Sequence, residues 1–74
     1  MDDQLREILQ SLLRITKGTP PQHRMEELEM SARTHLGLYE QENNHLGATI
    51  YRDALKQILE AESAEALEII VARM

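Results

Sequence analysis

Apolar residues recur at spacings of three and four along most of this chain. Leu5, Ile8, Leu9, Leu12 and Ile15 form one such stripe, which predicts a first helix over residues 3–17. Gly18 follows Lys17 and supplies a left-handed C′ position. Thr19-Pro20-Pro21-Gln22 then reads as a helix start, with Thr19 as N-cap, Pro20 at the first helical position and Gln22 closing a capping box. The residue before a proline avoids the α region, which makes Pro20 an awkward helical residue ahead of Pro21.

Met25, Leu28, Ala32, Leu36 and Tyr39 continue a helical stripe, and Glu29 and Arg33 are spaced to pair on its outer side. Residues 40–45 are all polar, after which Leu46, Ile50, Ala54, Leu55, Ile58 and Leu59 resume the pattern. The second helix therefore covers 20–61, either continuous or broken near 43–47. A continuous helix of that length would run roughly 60 Å at about 1.5 Å per residue. A compact chain of this size has a radius of gyration of only about 11 Å. Continuity would place Asn43 toward a core completed by another chain, whereas a turn at Asn43-Asn44 would allow a self-contained bundle. Without a proline or glycine cluster to mark a turn, the pattern leans to the continuous or gently kinked form.

Ser63 can cap a last helix over 63–73, in which Ala64, Leu67, Ile70, Val71 and Met74 return to helical spacing. With Ile69 added, apolar side chains surround more than half of its circumference. One side is expected against the chain's own core and another against a partner.

Composition confirms the class these stripes suggest. The 74 residues include no Phe, Trp or Cys, and Leu, Glu, Ala, Gln, Arg and Met dominate the long segments. The expected fold is all-α, a single domain over 1–74 built as a helical hairpin or three-helix unit. A chain this short buries only about 60% of its unfolded surface, and no disulfide can compensate, so oligomerisation is the expected means of completing the core. The lack of cysteine also removes thiol chemistry and fits a reducing cytoplasm, taken as the default location. Two aspartates at the start, and an apolar run no longer than Ile69 to Ala72, give no sign of a signal peptide or membrane span.

The formal net charge is −5, which repels nucleic acid unless the cations are gathered in one place. From Ile8 to Met25 there is no acid, and Arg14, Lys17 and Arg24 lie near one bend with His23. Those cations suit the negative end of a helix dipole, and they could also form a docking patch for an acidic surface. Three phosphate contacts would give a salt slope of only about −3, so no nucleic-acid partner is expected.

Reactive constellations are sparse. No serine sits in a strained Gly-x-Ser-x-Gly elbow, and the glycines at 18, 37 and 47 are too scattered to cradle phosphate. The one metal-like spacing is Glu42-x-x-His45, a carboxylate and an imidazole one turn apart if the helix is continuous. Duplicated across a dimer it would give an incomplete di-metal centre, so no metal or other cofactor is expected. His23 with Glu26 or Glu27 repeats the spacing by coincidence. His35, at the edge of a stripe, reads as a partly buried packing residue. Tyr39 and Tyr51 suit rings turned inward with wet hydroxyls, and Met25, Met30 and Met74 suit gap-filling.

Leu36-Gly37 followed by Tyr39, and then Tyr51-x-x-Ala54-Leu55, resembles fragments of a tetratricopeptide helix pair over about twenty residues. The spacing is short by roughly two residues, no closing proline follows, and one unit would lack the neighbours such arrays need. The likeness implies similar helix packing and carries no function.

A non-enzymatic protein–protein interaction module follows from these residues, self-associating as a homodimer. Leu28, Leu36, Leu46, Ile50, Ile58 and Ile70 would line its seam with Tyr39, Leu67 and Met74, and Asn43 would fix register. One alternative is a small regulator or chaperone that holds a helical segment of another protein, and a more remote one is a metal-dependent oxidoreductase whose di-metal carboxylate/His site forms across a dimer from Glu42 and His45.

Overall fold

The computed structural model describes residues 2–74, with side chains from residue 3 onward, and is all-helical among those residues. Four helices follow in order: α1 Asp2–Ile15, α2 Pro21–Gln41, α3 His45–Glu60 and α4 Ala64–Ala72. A single 3₁₀ turn, Thr16–Gly18, extends the end of α1.

The long second helix is divided, which corrects the lean toward continuity. The longest dimension of the molecule is 34 Å and its radius of gyration is 11.7 Å, so no 60 Å rod could fit. The break uses an asparagine where sequence logic looked for proline or glycine. Asn43 adopts φ 57°, the left-handed conformation that asparagine tolerates better than most residues. Its amide donates to the Glu40 carbonyl at 3.2 Å, and the Asn44 amide donates to the Tyr39 carbonyl at 2.9 Å. These two bonds form a Schellman motif that satisfies the end of α2. Asn44 then caps α3, its side-chain oxygen accepting from the Gly47 amide at 3.0 Å. Asn43 is exposed in the turn, so it does not occupy the core register position expected of it.

The end of α1 and the start of α2 also differ from expectation. Gly18 is not left-handed, and the extended residue Thr19 donates its amide to the Thr16 carbonyl at 3.0 Å. Side chains satisfy the last carbonyls of α1 instead of a glycine cap. The buried Thr16 hydroxyl donates to the Leu12 carbonyl at 2.9 Å, and Arg24 Nη2 donates to the Leu13 carbonyl at 2.9 Å. No capping box forms at Thr19, because Pro20 is the N-cap, with ψ 141°, and makes no side-chain bond. Pro21 excludes Pro20 from the α region, so the helix begins one residue later. Ser63 does cap α4, accepting from the Ala66 amide at 3.1 Å.

The α2–α3 hairpin is the most extensively packed pair. Its antiparallel run is set by Tyr39 against Tyr51 and by Glu40 paired with Arg52 at 3.4 Å. Helix α1 lies across this hairpin, and α4 returns alongside α1, bringing Val71 and Ala72 opposite Gln10 and Leu13. Leu9 and Leu12 from α1, Leu28 from α2, Ile58 from α3 and Leu67 from α4 are fully buried together. Each such side chain contributes about 1.5–3 kcal/mol by leaving water. All four helices share one core.

Candidate interaction surface

Helix α4 turns its buried stripe, Ala64, Leu67 and Val71, to the core at the i, i+3, i+7 spacing of a single helix face. Its sequence is too apolar for one face to hold it all. Ile69 is 54% exposed on the opposite side, Ile70 is 37% exposed about 100° round the helix from it, and Met74, just beyond the end of α4, is also 37% exposed. The consecutive aliphatics Ile69, Ile70 and Val71 cannot share a stripe when each residue turns the helix by about 100°.

The expected seam residues separate into three groups. Leu28, Ile58 and Leu67 are inside the chain's own core, so they cannot meet a partner without unfolding. Leu36, Tyr39 and Ile50 are half-buried. Asn43, Leu46, Ile70 and Met74 are exposed, with Leu46 at the first turn of α3. Ile69, Leu59, Leu38, Met30 and Ile15 are exposed apolar side chains that the stripe analysis did not assign to a seam. For Ile69 the signal was present in the apolar run that ends at Ala72.

Two open clefts flank α1. One, of about 320 Å³, has Glu7 and Ile8 on one wall and Tyr39, Gly47, Ile50 and Tyr51 on the other. Tyr51 stacks on His35 with ring centres 5.0 Å apart and on Tyr39 at 5.4 Å. His35 is half-buried, as its place in the stripe predicted, and its Nδ1 donates to the Ser31 carbonyl at 2.8 Å. Burial raises the Tyr51 pKa above its ordinary 10.0, and the neighbouring Tyr39 adds to the shift.

The second cleft, about 440 Å³ between α1 and α4, gathers Arg14, Lys17 and Arg24 as the charge pattern suggested. Arg24 is already engaged: its guanidinium contacts Glu68 at 3.0 Å, the Leu13 carbonyl and the Thr16 hydroxyl. It joins the end of α1 to α4 and is not a free docking cation.

Glu42 and His45 do not share a helix face. Glu42 ends α2, His45 opens α3, and the left-handed Asn43 between them removes the one-turn geometry on which a paired ligand set depends. Among the described residues no three His, Cys, Asp or Glu side chains cluster as a metal site. The exposed His23–Glu26 pair forms at 3.5 Å, and the expected Glu29–Arg33 pair at 2.9 Å. Among the described residues no helix is long and apolar enough to cross a membrane. No family model, curated protein or solved structure matches the chain, so the tetratricopeptide likeness stays confined to its few residues.

Proposed function

We propose that this chain is a non-enzymatic protein–protein interaction module that self-associates through its amphipathic helices. The observation that carries the reading is the apolar excess at the C-terminal end, where Ile69, Ile70 and, just past α4, Met74 meet solvent while Ala64, Leu67 and Val71 fill the core. Single exposed aliphatic side chains are ordinary, but Ile69 and Ile70 in α4 and Met74 just beyond it fall within six residues and concentrate exposed apolar surface at this end of the chain. Symmetric pairing is the commonest way for a small domain to cover such a patch.

The cleft between α1 and α3 favours the second reading, a regulator or chaperone that holds another protein's helical segment. Sedimentation equilibrium from micromolar to millimolar concentration separates the two. A mass that rises toward the dimer supports self-association. A monomer throughout removes it and leaves the regulator reading.

A further inference from the structure

We infer that two copies of this chain pair through antiparallel α4 helices, with Ile69 on the twofold axis. The inference rests on the self-association reading and specifies its geometry. Taking about 100° per residue, Glu65, Ala66, Ile69, Ala72 and Arg73 lie on one side of α4, opposite Ala64, Leu67 and Val71. Glu65, Ile69, Ala72 and Arg73 are exposed and Ala66 is half-buried.

Their order is self-complementary. Running a second α4 in the opposite direction with Ile69 against Ile69 places each residue opposite the one equally far from Ile69 on the other side. Ala66 then meets Ala72 of the second copy, and Glu65 meets Arg73, and both pairings occur twice. An isologous twofold interface requires this reciprocity. Alanines at the flanking positions allow the helix axes to approach toward the short end of the usual range, about 8 Å. The terminal charges are of opposite sign, and neither Glu65 nor Arg73 has an ion-pair partner among the described residues. Glu68, one turn from Glu65, is by contrast already held by Arg24.

The same pattern disfavours a parallel pair, which would bring Glu65 toward Glu65 and Arg73 toward Arg73. It also sets the strength of the contact. Nine helical residues span only about 14 Å, so even with Ile70 and Met74 at its border the seam belongs among small, reversible interfaces.

The test uses the full chain with a single cysteine, which the natural sequence lacks. Ile69→Cys, oxidised in dilute solution, should form a disulfide-linked dimer much faster than Met30→Cys, an exposed position on α2 that reports random collision. Glu65→Arg should weaken association roughly tenfold, and adding Arg73→Glu should restore it. If the natural chain dimerises but the two cysteines oxidise at equal rates, or the charge exchange restores nothing, the α4 seam is wrong and self-association stands. If the natural chain is a monomer at every concentration, both fall.

Discussion

A Cβ added to Gly47 would lie 2.7 Å from Cδ1 of Tyr39, so α3 can begin beside that ring only because residue 47 has no side chain. Gly37, also inside a helix, has nothing within 4 Å of the corresponding position. The two glycines should therefore respond oppositely to alanine. Gly37→Ala is expected to stabilise the fold by up to about 1 kcal/mol through helix propensity. Gly47→Ala gains the same propensity but displaces the Tyr39 ring, and overpacking of about 1–3 kcal/mol should leave it net destabilised. Chemical denaturation of both variants checks the sign.

Arg24 bridges α1, the 3₁₀ turn and α4, and its removal should cost more than that of its acidic partner. Arg24→Ala takes a charged donor from the Leu13 carbonyl as well as from Glu68, for an expected loss of about 1.5–3 kcal/mol. Glu68 is half-exposed and solvent screens it, so Glu68→Ala should cost no more than about 1 kcal/mol. Equal losses in thermal melts of the two variants would show that the carbonyl contact adds nothing.

The left-handed Asn43 makes a third prediction. Glycine adopts φ 57° without penalty, though it is also freer when unfolded, so Asn43→Gly should range from neutral to about 1 kcal/mol more stable. Asn43→Val should lose about 1–2 kcal/mol, since a β-branched residue resists this conformation. Urea titration distinguishes the pair. A stable valine variant would mean the turn reorganises.

Stability should also fall in strong alkali. Burial, and then Tyr39, make Tyr51 harder to deprotonate in the folded chain than in the unfolded one. Its contribution is fully present below the unfolded pKa of about 10 and is lost as pH rises through the raised folded value. Tyr51→Phe should flatten this decline, measured as denaturation midpoints at pH values on either side of 10. An unchanged decline would place its origin elsewhere.

The helical stripes made most of the architecture readable. Leu9, Leu12, Leu28, Ile58 and Leu67 stand in the core at the spacings that singled them out, and Ser63 caps the helix it was expected to cap. What remained hidden depends on contacts between distant residues. The division of the long helix relies on one asparagine taking a conformation more often left to glycine. The end of α1 is closed by Arg24, eleven residues from the Leu13 carbonyl it serves, which no local capping rule anticipates. The proposed surface was half legible: the C-terminal excess of aliphatics pointed to α4. Periodicity set Ile69 apart from the stripe but could not sort Leu67, which is buried, from Ile70, which is exposed.

The three-residue connection between α2 and α3 also bears on how the molecule assembles. The links before α2 and α4 are as short, but only α2 and α3 join so short a link to the most extensive packing in the molecule, and such neighbours find each other at little loop-closure cost. The hairpin is thus placed to form the nucleus, with α1 and α4 arriving from opposite flanks as latecomers. Substitutions at Leu28 or Ile58 would then slow folding, whereas those at Leu67 would mainly hasten unfolding.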